Sequence, residues 1–326
     1  MHKGKEMKKS HCQALEKIKG SSQQIIRIKA QIQKIAAHAR LPVLITGETG
    51  TGKELVANAL HACSDRHANP LVKINCSAIP ENLIESQLFG HCKGAFTGAT
   101  EAQTGLVEEA HTGTLFLDEI GELPMPMQAK LLRFLEDFKY RRLGEARERH
   151  TNVWIIAATN KDINEMNSEH GFRSDLFYRL NAMHLYIPPL RERIADIEIL
   201  IRHFEQHINS EVNGKSVCKR QDLLHRLKCY SWPGNIRQLK NVIERLTIME
   251  DPAELLNLIE NELLSCVDSE ESRFSDIERI ECIEITKVWY ATGGNKSETA
   301  KRLCISRNTL KKRLQKYGIE DQVVKV

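Results

Sequence analysis

The sequence predicts an α/β sandwich built on a parallel sheet, followed by smaller helical regions. Short apolar runs rich in Val, Ile and Leu alternate with helical stretches through about the first 190 residues, and buried parallel strands have this composition. A glycine-rich segment, Gly47–Lys53, lies between one such run and a helical stretch, which is the setting of a phosphate-binding loop. After Pro188–Pro189 the pattern becomes helical, with one break at 232–234.

Each element of the α/β region has its own signal. The first 20 residues are polar and are expected to form a mobile tail. Four isoleucines at helical spacing then predict an amphipathic helix; they are Ile25, Ile28, Ile32 and Ile35. Five apolar runs predict the strands; they are Val43–Thr46, Leu71–Asn75, Thr114–Asp118, Val153–Thr159 and His184–Ile187.

The C-terminal part is predicted to contain three helices. The first ends at Gly293–Gly294, and its apolar markers are Ile277, Ile280 and Val288. The second begins at Asn295, which forms a pattern like a capping box with Glu298. The residues that cap and line the third are Ser306, Leu310, Leu314 and Tyr317.

These signals divide the chain into five segments. They are a basic N-terminal tail (1–20), an α/β core (21–189), a small helical domain (190–265), a polar and acidic linker (266–275) and a C-terminal domain of three helices (276–326). The sequence contains no internal repeats.

Composition favours a cytoplasmic protein. The chain has 326 residues, of which 41% are hydrophobic and 28% charged, as in ordinary globular proteins. Its longest apolar candidate, Val153–Thr159, is far shorter than the roughly 20 residues of a membrane span, and the basic N-terminus lacks the apolar core of a secretory signal. The nine cysteines include no CxxC pair, which is typical of reduced thiols in a cytosol.

Charge is distributed unevenly around a net value of +4. Between Lys296 and Gly318 there are eight Lys and Arg residues and one acid, Glu298, which is the charge pattern of a nucleic-acid-binding segment. On charge alone, a solvated helix face is the alternative. The basic balance from Met1 to Arg40 is spread along a tail and a helix and indicates no site.

The glycine-rich segment predicts a site for a nucleoside triphosphate and Mg²⁺. Its glycines allow backbone N–H groups to turn toward phosphate oxygens, and the following helix presents its positive end to the same anion. Lys53 is expected to reach the β- and γ-phosphates, and Glu54 stands where the usual motif has Ser or Thr. The predicted nucleotide-binding residues here are Gly47, Glu48, Thr49, Gly50, Thr51, Gly52, Lys53 and Glu54.

Two acids end the strand Thr114–Asp118, and a carboxylate pair at a strand tip is costly unless a cation or water uses it. Asp118 is expected to orient magnesium, and Glu119 to polarise the attacking water. The alternative is an acid pair that caps a helix. Asn160 closes another strand at the same edge and can position the water or contact the γ-phosphate.

Residues Gly94–Ala99, reading GAFTGA, are the most distinctive motif of the chain. Gly94 and Gly98 allow a sharp loop tip, and Phe96 is a large apolar group that calls for a partner to bury it. Thr97 can add a hydrogen bond. The alternative is a glycine-rich turn with Phe96 tucked into the core.

With these motifs in this order, the chain resembles the AAA+ activators of sigma-54 RNA polymerase, from about Ser21 to Leu264 and again over the C-terminal helices. The resemblance implies a ring of subunits, expected to be a hexamer, that hydrolyses ATP at its interfaces. It also implies that the loop remodels the closed complex of the sigma-54 RNA polymerase holoenzyme into an open complex. The residues expected to contact sigma-54 are Gly94, Ala95, Phe96, Thr97, Gly98 and Ala99.

The same resemblance assigns roles to residues that are uninformative alone. Arg173 and Arg179 resemble the arginines supplied to the neighbouring subunit, and Arg237 resembles the lid arginine that contacts the nucleotide of its own subunit. Asn75 resembles the switch residue that pairs with Glu119 and, through that pairing, raises or lowers the loop. Without the resemblance, each arginine is better interpreted as a surface salt-bridge partner.

The C-terminal segment resembles a Fis-type helix-turn-helix that binds enhancer DNA. Its second helix is expected at Lys296–Leu303 and its recognition helix at Arg307–Tyr317. The candidates for base edges are Arg307, Asn308 and Lys311, and those for phosphates are Lys312, Arg313 and Lys316.

One departure concerns regulation. Activators of this family often carry a receiver or ligand-sensing domain before the ATPase, whereas about 20 residues precede Ser21 here. A separate regulatory protein, constitutive activity and a truncated chain are the three explanations.

Two other functions compete with activation. They are a DNA-binding regulator without remodelling activity and an AAA+ remodeller of another protein. Retention of Phe96, Thr97, Asp118 and Glu119 argues against the first, and the basic terminal helices together with GAFTGA argue against the second.

Overall fold

The computed structural model describes residues 14–161, 171–208, 230–248, 294–303 and 305–316, with the shorter stretches 223–224, 227–228, 285, 288–289 and 292. The chain divides into two compact units, Met1–Pro252 and Ala253–Val326. The predicted linker at 266–275 lies outside the described residues.

A five-stranded parallel sheet forms the centre of the first unit. Its strands are β1 (Val43–Thr46), β2 (Leu71–Asn75), β5 (Thr114–Asp118), β8 (Trp154–Thr159) and β9 (Met183–Tyr186), in the spatial order β2-β5-β8-β1-β9. All four pairings are parallel, with Val43 opposite both Ile156 and Met183. The predicted parallel sheet is therefore confirmed, because all five apolar runs are strands within a residue or two of their expected bounds.

Helices cover both faces of this sheet. They are α1 (Gln23–Ala36), α2 (Lys53–Cys63), α3 (Glu81–Phe89), α4 (Leu106–Glu109), α5 (Met125–Asp137) and α6 (Ser174–Leu180). One apolar cluster joins α1 and α2 to the sheet, and a second joins α3, α5 and α6 to its other face. The four isoleucines of α1 are all buried, as their spacing predicts.

The packed fold starts earlier than the sequence predicts. Leu15 and Ile18 are buried in the α1 and α2 cluster, although the prediction places them in a mobile tail. Asp196 then accepts hydrogen bonds from both Ser21 N–H and Ser22 N–H, each at 2.7 Å. Two isolated apolar residues are too weak a sequence signal to reveal this packing.

Two small hairpins project from the α/β core. The first is β3 (Gly90–His91) with β4 (Gln103–Thr104), and its tip carries Gly94–Ala99. The second is β6 (Lys139–Tyr140) with β7 (Arg149–His150). The Leu143 carbonyl accepts from Cys92 N–H at 2.9 Å, so the second hairpin lies against the base of the first.

The lid begins with two short 3-10 turns, Leu190–Glu192 and Ile194–Asp196, and continues in α7 (Ile197–Ile208) and α8 (Asn235–Ile248). Trp232, at the predicted break before α8, is fully buried and donates from its indole N–H to the Leu227 carbonyl at 2.8 Å. This anchor fixes the start of α8 against the rest of the lid.

The second unit contains α9 (Lys296–Arg302) and α10 (Arg307–Lys316) around a small apolar core. That core consists of Ile285, Trp289, Ala300, Leu310 and Leu314. Asn295 caps α9 by accepting from the Ser297 and Glu298 N–H groups, as expected, whereas the Glu298 carboxylate pairs with Arg302. Tyr317 lies outside the described residues. No helix in the described part of the chain is both long and apolar enough to cross a membrane.

Candidate nucleotide site and exposed loop

The glycine-rich segment forms a loop between β1 and α2. Gly47, Gly50 and Gly52 have φ of 156°, 79° and 102°, and the positive φ of Gly50 and Gly52 is a conformation that glycine adopts without steric cost. A Cβ on Gly50 would lie 2.3 Å from the Gly234 carbonyl oxygen, which excludes any larger residue. The loop ends at the N-terminus of α2, where helical N–H groups and the macrodipole favour an anion.

Lys53 and Glu119 face each other across this loop. Lys53 is 7% exposed, and its Nζ lies 2.9 Å from the Gly47 carbonyl and 3.6 Å from Glu119 Oε1. Glu119 follows β5 with a left-handed φ of 49°, an uncommon conformation for a residue with a side chain and one that concentrates at functional sites. The fold thus brings together the predicted phosphate ligand and the predicted base.

Asp118 fits the role of a magnesium ligand. Burial, reinforced by the charge of Glu119, raises the pKa of its carboxyl above the ordinary value, and a bound cation would relieve both effects. Among the described residues, no three His, Cys, Asp or Glu side chains converge on one point. Magnesium held here would therefore complete its shell with phosphate oxygens and water, as it commonly does.

Asn160 connects the acid to the loop. Its backbone N–H lies 3.2 Å from Glu119 Oε2, and its side-chain amide donates to Thr49 Oγ1 at 3.1 Å. Asn160 reaches Glu119 because β8 lies beside β5, so that the C-terminal ends of these strands meet at one edge of the sheet.

Asn75 lies at the same edge, in register with Asp118. Its side-chain oxygen accepts from Ser77 N–H at 2.9 Å and from Ser77 Oγ at 2.7 Å, while Glu119 is held by Lys53 and Asn160. The expected pairing of Asn75 with Glu119 is not formed in this structure and stays a prediction for another nucleotide state.

Two acidic residues of the motif point away from the phosphate position. The Glu48 carboxylate accepts from Arg191 Nη1 at 2.8 Å, a hydrogen bond that lowers the pKa of Glu48. Glu54 pairs with Lys73 at 2.9 Å on the surface. Glu48 belongs to the loop and Glu54 to α2, but their carboxylates pair with Arg191 of the lid and Lys73 of β2.

The three arginines divide into two groups. Arg237 is exposed in the first turn of α8, with its Cβ 3.2 Å from the Cβ position of Gly50, so it stands beside the loop of its own chain. Arg173 instead pairs with Asp175 at 2.7 Å, and Arg179 donates to the Leu135 carbonyl at 2.8 Å. Neither of the latter two guanidinium groups contacts the phosphate loop of its own chain.

An apolar recess that the sequence does not predict adjoins the phosphate loop. Thr51 and Gly52 form part of its wall, and the apolar lining comes from six separate segments of the chain. These lining residues include Ile18, Ile28, Leu55, Ile187, Phe204 and Ile236. Only folding assembles the recess, so no local motif could have revealed it.

The Gly94–Ala99 loop is a tight, exposed tip. Gly94 N–H donates to the Ala99 carbonyl at 2.8 Å, and Gly94 and Gly98 have φ of 80° and 103°. Phe96 is 37% exposed, and its ring packs edge-on against His91 with centroids 5.0 Å apart. The alternative in which Phe96 is buried in the core is therefore wrong.

Polar contacts join this loop to its surroundings. His91 Nδ1 and Ser86 Oγ are 2.7 Å apart and buried, which ties the loop base to α3. Glu108 accepts from Tyr140 Oη at 2.9 Å and from Arg142 Nη2 at 2.9 Å, which ties α4 to the second hairpin. No local pattern predicts the Glu108 contacts, because Glu108 is 32 residues from Tyr140 and 34 from Arg142.

The predicted DNA-reading residues lie on α10. Arg307, Asn308, Lys311 and Lys312 are exposed, and Arg313 is half-buried. Ser306 accepts from Thr309 N–H at 3.0 Å and caps the helix, as expected. Arg307 also contacts Ser297 Oγ of α9. The side chain of Lys316 lies outside the described part of the chain.

Three family models match consecutive parts of the chain. They are the sigma-54 interaction domain over residues 18–186, the AAA+ ATPase lid domain over 191–273 and the bacterial regulatory protein of the Fis family over 276–317. The match to the first model covers the sheet, the phosphate loop and the exposed loop.

Curated relatives are similar over most of this chain. Regulatory protein AtoC of Escherichia coli (strain K12) is 45% identical over 87% of this chain and 64% of AtoC. The transcriptional regulator NtrC of Rhizobium meliloti (strain 1021) is 40% identical over 91% of this chain and 68% of NtrC. The transcriptional activator HyfR of E. coli is 44% identical, and this chain spans 45% of its length.

Solved structures of NtrX from Brucella abortus are also similar. The complex of NtrX with ATP has a TM-score of 0.66 and 33% identity, covering 92% of this chain and 68% of NtrX. The complex with ADP has a TM-score of 0.67 at the same identity. With an AAA+ P-loop core, a lid and a Fis-type helix-turn-helix in consecutive order, the chain belongs to the family of sigma-54-dependent transcription activators.

Proposed function

We propose that this protein is a Mg²⁺-dependent ATPase that converts the closed complex of sigma-54 RNA polymerase into an open complex. The ATPase and lid bind nucleotide, the exposed Gly94–Ala99 loop engages sigma-54, and the helix-turn-helix binds enhancer DNA. The observation that carries the proposal is the position of Phe96. It is an exposed aromatic residue on a glycine-flanked tip, directly connected to a helix that starts beside the nucleotide site.

Nucleotide binding follows from the geometry of the loop and recess. The phosphates lie against the N–H groups of Gly47–Lys53, and Lys53 neutralises the terminal phosphates. The flat base enters the apolar recess, where Ile18 and Ile236 exclude water from its faces. Asp118 would hold magnesium, which would supply positive charge to neutralise the phosphates.

Glu119 is the base that orients and deprotonates the attacking water. Its carboxylate is held by the Asn160 N–H and by Lys53, so its position is defined before water arrives. A γ-phosphate that displaces Lys53 from the Gly47 carbonyl would also weaken the hold on Glu119. Asn75, which lies opposite Asp118 on the adjacent strand β2, is then available as an alternative partner.

Hydrolysis takes place between subunits. Arg173 immediately precedes α6 and Arg179 lies in its last turn, and their guanidinium groups contact Asp175 and main-chain carbonyls of α5, respectively. This placement supports donation to the site of a neighbouring copy in a hexameric ring, where a guanidinium stabilises the charge that develops on the γ-phosphate.

Movement passes from Asn75 to the loop along one short path. Asn75 caps the 3-10 turn Cys76–Ala78, which leads into α3, and α3 ends at the base of the loop. Because α3 is anchored by buried Ile84 and Leu88, it can transmit a shift as a rigid element. Phe96, packed on His91 here, would leave that contact when the loop rises toward sigma-54.

The proposal is tested by separating hydrolysis from remodelling. Phe96→Ala and Thr97→Ala should keep ATP hydrolysis within about twofold of the parent, since neither residue touches the nucleotide site. Both should lose ATP-dependent open-complex formation with sigma-54 holoenzyme. Ile26→Ala is the control, because it removes an exposed apolar side chain from α1 (52% exposed, against 37% for Phe96). Open complexes formed at normal levels by both loop variants would refute the role of the loop.

Two arms of the same experiment address the partners. Replacing sigma-54 holoenzyme by the housekeeping holoenzyme should abolish open-complex formation, whatever the ATPase rate. Adding the enhancer fragment should stimulate the reaction at low protein concentration, because binding to adjacent sites promotes ring assembly. A separate regulatory protein would act on this assembly step.

A further inference from the structure

The outer side of the phosphate loop is held by the lid. Three consecutive loop carbonyls accept hydrogen bonds from lid groups: Thr49 from Asn235 Nδ2 at 3.0 Å, Gly50 from Ile236 N–H at 3.0 Å, and Thr51 from Arg193 Nη2 at 3.1 Å. A loop that binds phosphate through its N–H groups must direct its carbonyls away from the anion. The lid donors fix the carbonyls in that outward direction.

Asn235 is the centre of this arrangement. It is 0% exposed, and both ends of its side-chain amide are used. Its oxygen accepts from Leu190 N–H at 2.7 Å, while its nitrogen lies 3.0 Å from the Thr49 carbonyl and 3.1 Å from Glu48 Oε2. Its φ of 51° is left-handed, which Asn tolerates better than most residues. An amide in a left-handed conformation is the one side chain that meets all of these demands.

The nearby ion pair is the weaker contact. Arg191 and Glu48 are each about two-fifths exposed, at 45% and 39%, and solvent screens exposed pairs strongly. Arg193 is buried, but it offers the loop a single contact at Thr51. Among the lid residues that the structure describes, Asn235 alone is fully buried and contacts the loop at two consecutive residues, Glu48 and Thr49.

We propose that Asn235 is a positioning residue for the phosphate loop, so that the loop keeps its nucleotide-binding shape only while the lid is seated on it. The inference rests on the proposed ATPase function. It couples the position of the lid to the affinity for phosphate. If α8 moves, the hydrogen bonds to the Thr49 and Gly50 carbonyls are lost together, and, conversely, bound phosphate favours the conformation in which the lid contacts the loop.

Asn235→Gly is the decisive variant. Glycine accepts the left-handed backbone without strain, so the substitution removes the amide and leaves the turn. The Michaelis constant for ATP should rise about tenfold, the factor expected for loss of a buried hydrogen-bond donor, while kcat at saturating ATP stays within about threefold. Asn241→Gly makes the same chemical change at an exposed position of α8, and its Michaelis constant should stay within about twofold of the parent.

A purely structural role gives a different pattern. Partial unfolding would lower kcat in proportion to the folded fraction and leave the Michaelis constant unchanged, and that result would overturn the inference. A Michaelis constant equal to that of Asn241→Gly would overturn it too. If Asn235→Gly is unfolded at the assay temperature, the same criteria apply to the isosteric Asn235→Asp, whose oxygen would face the Thr49 carbonyl and Glu48. Absence of ATP turnover in the parent chain would instead refute the proposed function.

Discussion

Asp196→Ala should be one of the most destabilising single changes in the ATPase and lid unit. The buried carboxylate accepts hydrogen bonds from Ser21 N–H, Ser22 N–H and Ser22 Oγ at 2.7, 2.7 and 2.6 Å. Each hydrogen bond to a charged group contributes about 1.5–3 kcal/mol. Burial lowers the pKa of the nearby Arg193, and the charge of Asp196 opposes that effect.

The three bonds cannot be summed, because water can reach the partly buried Ser21 N–H once the carboxylate is gone. We therefore expect a loss of about 3–5 kcal/mol in the free energy of unfolding, the range for removal of one partner from a buried charged network. Urea unfolding followed by far-ultraviolet circular dichroism measures this loss. Asp65→Ala, at an exposed acid, should change stability by less than about 0.5 kcal/mol. If the free energy of unfolding of Asp196→Ala is within about 1 kcal/mol of that of the parent, the joint between Ser21–Ser22 and Asp196 does not stabilise the fold as argued.

Three further predictions concern the site and the second unit. Glu119→Gln should bind ATP but release phosphate about 10²–10⁴-fold more slowly, because the general base is lost; normal turnover would remove that role. As the pH is lowered, magnesium affinity should begin to fall at a higher pH than it would for an Asp of ordinary pKa, because only ionised Asp118 binds the metal and its pKa is raised. A magnesium titration whose pH dependence follows the ordinary pKa of Asp contradicts this. Deletion of 276–326 should abolish site-specific DNA binding in gel-shift assays and leave ATPase activity at high protein concentration, and persistence of specific binding would argue against the helix-turn-helix assignment.

The sheet and the phosphate loop could be predicted because their signals are local. A strand buried on both faces needs a continuous apolar run, and β1, β5 and β8 each have one. The loop needs glycines at fixed offsets from Lys53, and those offsets are visible in any single sequence. Local composition was therefore enough to find the strands, and residue spacing was enough to find the loop.

The remaining features depend on contacts between distant residues. Asn235 and Thr49 are 186 positions apart, and six separate segments of the chain line the apolar recess. Leu15 and Ile18 were assigned to a tail, because two apolar residues among charges do not establish a periodicity. Arg173 and Arg179 contact Asp175 and the Leu135 carbonyl, and their proposed role in a neighbouring copy rests on the resemblance, because no local pattern in a single sequence specifies it.

The joint between Ser22 and Asp196 has a practical consequence for anyone who recombines this protein with other modules. A cut made just after Ser22, or a rigid fusion attached there, would remove or pull on the segment that holds the second 3-10 turn of the lid. A tag joined well upstream of Leu15 would leave that tether relaxed. By the same reasoning, tension applied from the N-terminal side would act on the lid through Ser22 and Asp196, and so could alter ATPase activity without a substitution in the nucleotide site.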